Sequence, residues 1–133
     1  MLPSDVIVAA EPAPDTPHQV VAADAIPEHQ MGLDIGPESA RFSPPASSGP
    51  IRFLEWPLGV LELSAYADGT RAVAQALAGN NACTVVGGGD AGAAIRALGY
   101  SESAFGHVST GGGASLEFIE CCTQPGLAAL EEP

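Results

Sequence analysis

The chain has 133 residues, enough for one domain with a buried core. Sixteen acidic residues face four basic ones, all arginine (Arg41, Arg52, Arg71, Arg96), and the net charge of −12 argues against nucleic acid and anionic membrane as partners. No apolar run approaches the ~20 residues of a membrane span, and Met1-Leu2-Pro3-Ser4-Asp5 lacks the basic and extended apolar regions of a secretory signal.

Taken in order, the first expected strand is Asp5 to Ala9. Its closeness to Met1 raises the expectation of further sequence upstream. The proline-rich run Glu11 to Pro17 reads as a loop. Gln19 to Ala22, with Ala25-Ile26 after it, reads as a short hairpin or edge strand, and Gly32 to Pro37 as a short buried strand closed by turn residues. Residues 38–50 read as an irregular loop, because Pro44-Pro45 would break any helix begun at Glu38. Ile51 to Leu54 is strand-like, and Trp56-Pro57-Leu58-Gly59 is a turn.

An amphipathic helix is expected from about Leu61 to Ala78, with Leu63, Tyr66, Thr70, Val73, Ala74 and Leu77 forming one apolar stripe. Gly79-Asn80-Asn81 would stop it. A buried strand follows from Cys83 to Val86, then a helix through Ile95 and Leu98 ended by Gly99. The last strand, His107 to Thr110, leads to a helix through Leu116, Phe118 and Ile119. This alternation predicts a parallel α/β sheet, whose right-handed crossovers bring all strand C-termini to one edge. Ligands of open α/β sheets bind at that edge.

Two glycine triplets fall there: Gly87-Gly88-Gly89-Asp90 and, 24 residues on, Gly111-Gly112-Gly113. A glycine turn between strand and helix removes Cβ atoms and points N–H groups at an arriving anion, where the helix dipole is positive. Without a single lysine, a bound nucleotide would have to be held by backbone dipoles and a bridging cation. The alternative is a tight turn with Asp90 as an N-cap. Ser109 and Thr110 read as helix caps, Trp56 as a packing residue whose place at the ligand edge leaves adenine stacking as the alternative, and His107 as a strand-end histidine. Cys83, Cys121 and Cys122 match neither a disulfide framework nor a zinc spacing, which points to a reducing, cytosolic-type compartment.

The ordered motifs Met31-Gly32-Leu33-Asp34-Ile35-Gly36-Pro37, Pro57-Leu58-Gly59-Val60-Leu61-Glu62, Val85-Val86-Gly87-Gly88-Gly89-Asp90 and His107 to Glu117, with Pro125 to Leu130 closing the chain, resemble phosphoglycerate kinase. The likeness runs from about Leu2 to Leu130 and covers the C-terminal third of that family. It implies a three-layer Rossmann-like parallel sheet, with residues 1–133 a partial nucleotide-binding domain and 123–133 its tail. It implies ATP or ADP and Mg²⁺ as ligands, and a cytoplasmic role in glycolysis. By motif, Gly32 lines the nucleotide pocket, Glu62 receives the ribose hydroxyls, and Gly87, Gly88 and Gly89 face phosphate. Asp90 is associated with the magnesium ion, and Gly111, Gly112 and Gly113 face the transferred phosphoryl group.

The sequence also departs from that family. Glu55-Trp56 stands before Pro57 where the family has Asn-Gly, and Ala91 follows Asp90 where Ser or Thr is usual. The segment 38–50, helical in the family, carries prolines here. The N-terminal domain that holds 3-phosphoglycerate has no counterpart, nor has the phosphate-binding lysine. The resemblance therefore implies the Mg-nucleotide side of a kinase transferring phosphoryl between 1,3-bisphosphoglycerate and ADP, inactive alone. The alternatives are a non-catalytic nucleotide or anion module, or an interaction fragment that complements another chain carrying the missing half.

Overall fold

The β-branched run of the first strand builds a different sheet from the one its position suggests. In the computed structural model, which describes residues 2–42, 51–78, 80 and 82–131, β1 (Asp5–Ala9) is the centre of an antiparallel sheet ordered β2-β1-β3. Its neighbours are β2 (His18–Ala22) and β3 (Met31–Ile35). Val6 pairs with Val21 and Ile35, and a register shift between Ile7 and Val8 bends the strand against β3. The eight residues between Ala9 and His18 are too few for the crossover that a parallel partner needs, so the chain turns back.

The parallel sheet is formed by β4 (Ile51–Leu54), β5 (Cys83–Gly87) and β6 (His107–Ser109), in that order. Phe53 lies opposite Val85, and Val85 opposite His107. The crossovers carry α2 (Asp68–Ala78) and α3 (Gly89–Ala97). Their apolar faces meet the sheet in a core of Leu54, Ala74, Leu77, Val86, Ala91, Ile95 and Phe105. Cys83, expected to be buried, is exposed at the strand's first position.

The helix expected from Leu61 begins at Asp68, after a short 3-10 turn at Ser64–Tyr66. The apolar spacing is continuous, but it serves two cores. Leu63 and Tyr66 pack with Ala9 and Leu33 under the antiparallel sheet, whereas Ala74 and Leu77 pack under the parallel one. Leu63 is extended (φ −108°, ψ 117°) to reach the first, which breaks the helical path. The buried Asp34 carboxylate accepts the Gly69 N–H (2.9 Å) and so caps the shortened helix from another strand.

Within the segment expected to be irregular, α1 (Pro37–Phe42) forms a short helix, its start bonded to the Asp5 carboxylate through the Glu38 and Ser39 N–H groups. Residues 43–50, with Pro44-Pro45, lie outside the described residues, as do Gly79 and Asn81 of the expected helix stop. Ala78 is the last residue of α2. The final expected helix is α4 (Gly112–Cys121), but its apolar residues lie at the surface, with Ile119 64% exposed. Cys122 closes it in the left-handed conformation (φ 56°), and α5 (Pro125–Glu131) gives the tail a helix. Among the described residues, no helix is long and apolar enough to cross a membrane.

Candidate functional site

The C-terminal ends of β4, β5 and β6 open onto one edge, where the two glycine turns abut. Beyond β5 the chain swings through Gly88 at φ 100°, a conformation that side-chain-bearing residues rarely adopt, and enters α3. Beyond β6 it passes Thr110 and Gly111 and enters α4. A Cβ on Gly112 would sit 3.1 Å from the Gly88 Cα, so the turns approach this closely only because both lack side chains.

Between them is a cleft of about 210 Å³, lined by Gly88, Gly89 and Asp90 from the first turn and Thr110, Gly112 and Gly113 from the second. Glu55 and Trp56, just past β4, form the remaining wall. Neither helix has a side-chain N-cap. The helical ladders begin with Gly92 N–H to Gly88 and Ser115 N–H to Gly111. The N–H groups of Gly89, Asp90 and Ala91, and of Gly112, Gly113 and Ala114, therefore have no intrahelical acceptor. Two helix starts of nine and ten residues thus face one small space, the arrangement that favours an anion.

Not every glycine contributes in the expected way. Gly88 gives its N–H to the Ser109 carbonyl (2.8 Å), extending the β5–β6 ladder, and Gly111 gives its N–H to Ser109 Oγ (3.2 Å). Both groups are already satisfied. Gly87 is buried and does not line the cleft; a Cβ there would lie 2.5 Å from the Phe53 ring, so its bareness serves packing. Asp90 is exposed in the first turn of α3 and lines the cleft.

Gly32 lies apart from these groups, in a second, more open depression of about 310 Å³ with Val6, Leu33, Asp34 and residues 57–60. No atom approaches within 4 Å of a Cβ built on Gly32. Trp56 belongs to the first space and Pro57 to the second, so one loop walls both. That loop is pinned by Val60 N–H to the Leu33 carbonyl (3.0 Å) and by Leu58 N–H to Thr70 Oγ1 (3.0 Å). Glu62 is exposed two residues past the loop and lines neither space.

Asp34 is a site residue that the glycine motifs do not point to. It is 4% exposed and lines the second depression, accepting from the Gly69 N–H (2.9 Å) and the Ile35 N–H (2.8 Å). Burial foremost pushes its carboxyl above the usual range, aided by Asp68, against the lowering effect of those bonds. A readable signal was present: a lone aspartate between apolar neighbours in a strand needs partners when buried. No group of three or more His, Cys, Asp or Glu side chains that could hold a metal ion occurs among the described residues.

The model of the phosphoglycerate kinase family matches residues 1–121. The chain is 56% identical over 132 residues to phosphoglycerate kinase of Salinispora tropica, covering 98% of this chain and 33% of that protein. It is 56% identical over 140 residues to the Streptomyces coelicolor enzyme, covering 99% and 34%. The solved phosphoglycerate kinase of Coxiella burnetii superposes with a TM-score of 0.83 at 38% identity, over 91% of this chain and 31% of that one. The Pyrococcus horikoshii structure gives 0.78 at 29% identity, over 97% and 32%. The chain thus spans about a third of the length of the curated relatives it matches.

Proposed function

Because this chain belongs to the phosphoglycerate kinase family, we propose that the cleft between its two glycine turns holds the phosphates of a magnesium nucleotide. The observation that carries this reading is the convergence of two uncapped helix starts on one 210 Å³ space. Their free N–H groups offer fixed donors to phosphate oxygens without any lysine. Gly88 and Gly89 face the phosphates already in the nucleotide, and Gly112 and Gly113 the phosphoryl group in transit. Such transfer needs positioning and charge stabilisation more than covalent participation, which suits donors built from backbone.

Asp90, which lines the cleft, is the residue that would hold a magnesium ion accompanying those phosphates. Mg²⁺ takes one or two carboxylates and completes its shell with phosphate and water oxygens, so a single protein carboxylate is enough. When bound, the ion would neutralise phosphate charge in a strongly acidic protein. The nucleoside extends along the loop Trp56 to Gly59 toward the depression at Gly32, where the bare Cα leaves room for a flat base. The family likeness assigns the ribose hydroxyls to Glu62, which is exposed beyond that loop and lines neither space.

In the complete kinase this surface serves phosphoryl transfer between 1,3-bisphosphoglycerate and ADP, a step of glycolysis in the cytoplasm. In that kinase the other reactant is held outside the third of the length that this chain matches. Alone, the chain binds Mg-nucleotide without turning it over. Calorimetric titration of the whole chain with Mg-ATP and Mg-ADP is the test. Saturable binding with no ATP formed from ADP and 1,3-bisphosphoglycerate is the expected result, and no binding at all would sink the reading.

A second reading, that the chain completes another polypeptide, is favoured by exposed apolar groups at Ile51 (61%), Ile119 (64%) and Leu130 (84%). It predicts stable association with a separately expressed N-terminal portion of a homologous kinase. A monodisperse monomer in that mixture at high concentration counts against it.

A further inference from the structure

The cleft already contains an anion of its own. The Glu55 side chain turns from the end of β4 onto the first turn of α4, with Oε1 3.1 Å from the place a Gly112 Cβ would occupy and 3.7 Å from that of Gly113. Its Cγ is equally close to Gly112, at 3.0 Å. Glu55 is half-buried there and lines the same space as Gly88, Gly89 and Asp90. None of the four arginines lines that space, and Arg71 and Arg96 are engaged with Asp68 and Glu102 at 3.5 and 2.7 Å.

We propose that Glu55 is a specificity-determining residue, a resident carboxylate that makes the cleft accept nucleotide phosphates only when a divalent cation has neutralised part of their charge. The inference rests on the nucleotide reading above. A carboxylate in the first turn of α4 is favourable in the empty protein, because it complements the helix dipole. The same position is unfavourable once a phosphate arrives, since the two anions compete for one positive helix end. An extra unit charge about 4 Å from a phosphate changes affinity by about fivefold in water and by several hundredfold in a partly desolvated site. With Asp90 on the opposite turn, free polyphosphate meets two carboxylates, whereas its magnesium complex meets a cation's natural ligands.

The substitution Glu55→Gln keeps shape and removes charge. Wild type and E55Q, each as the whole chain, are titrated calorimetrically with Mg-ATP and with ATP in excess EDTA at one ionic strength. Free ATP is expected to bind E55Q about tenfold more tightly than wild type, and Mg-ATP to gain less, so that discrimination against free ATP falls. The ligand-free variant is expected to melt about 2 °C lower, because α4 loses its complementary charge. A side chain with a purely structural role would lower melting without touching the ratio of the two affinities. An unchanged ratio with both proteins binding overturns the role of Glu55 and leaves the nucleotide reading standing. Binding by neither protein overturns both. The variant Glu55→Ala separates charge from bulk: tighter free-ATP binding in E55A but not in E55Q would mean that Glu55 acts by volume, which also overturns the proposal.

Discussion

The antiparallel and parallel sheets of this short chain are held by different physical means. Under β1, β2 and β3 the apolar cluster is small, built on Ala9, Leu33 and Tyr66, and two buried carboxylates tie the layer to its surroundings. Asp5 accepts from Ser39 Oγ (2.6 Å), Ser39 N–H (2.7 Å) and Glu38 N–H (3.1 Å), while Asp34 reaches Gly69 at the start of α2. Under β4, β5 and β6 the fastening is apolar, and the close approaches are made by bare backbone. The half that carries the proposed site thus meets its open edge with bare glycine turns, walled by Glu55 and Trp56, and places its apolar core behind the sheet. The other half depends on polar groups whose strength varies with pH.

The largest effect that would test this division comes from the apolar side. Ile95 is fully buried on α3, and Ile95→Ala is expected to cost about 3 kcal/mol through lost transfer energy and the cavity left behind. Ile119, at a similar point along α4 but 64% exposed, should cost less than about 0.5 kcal/mol on the same change. Urea midpoints measured for the two variants and wild type give the comparison. Comparable losses would show that the α4 surface is covered in solution, and that the parallel sheet has a second apolar layer.

The glycine turns allow a finer separation. Gly88→Ala forces a side chain into φ 100° with the Glu55 carbonyl oxygen 3.3 Å from the new Cβ, and should destabilise by about 2 kcal/mol. At Gly113 a Cβ meets only Glu55 Oε1 at 3.7 Å, an ordinary contact on a helical backbone. Gly113→Ala should therefore stabilise by about 0.5 kcal/mol. Opposite signs in denaturant titration would show that two turns alike in sequence carry different constraints. A loss from both would place hidden strain at the second.

Much of this was legible in the sequence, for reasons that particular residues make clear. The strand–glycine–helix pattern around Val85 to Asp90 and Val108 to Gly113 pointed to the parallel sheet and to the edge where the two glycine turns meet, because periodicity and glycine placement are local properties. The separate antiparallel sheet depended on the length of the loop from Ala10 to Pro17, which a propensity reading does not weigh. The late start of α2 was hidden because Leu63, Tyr66, Ala74 and Leu77 keep helical spacing while serving two cores. Spacing records that a residue is buried, not against what. The packing role of Gly87, the satisfied N–H of Gly88 and the lodging of Glu55 against Gly112 all arise between distant segments. None leaves a local mark.

A smaller effect than that of Ile95 or Gly88 lies on the polar side, and its sign distinguishes the two halves. Burial alone would raise the Asp5 carboxyl, but the bonds from Ser39 and Glu38 outweigh it and hold the group below its ordinary value of 3.8. Folded protein therefore binds this proton less readily than unfolded chain. The stability Asp5 contributes is present above the unfolded value and is lost as pH falls through the folded one. Asp34 runs the other way: its contribution is greatest below the unfolded value and declines as pH rises through its raised one. Asp5→Asn leaves one N–H donor of α1 poorly served and should cost about 1 kcal/mol at neutral pH. It should also flatten the fall in stability below about pH 4, because the titrating group is gone. Denaturant midpoints of wild type and D5N between pH 7 and pH 3 measure both effects. Parallel curves would mean that the acid response arises from the general charge of −12 rather than from this sheet, and the distinction between polar and apolar fastening would lose its pH-dependent half.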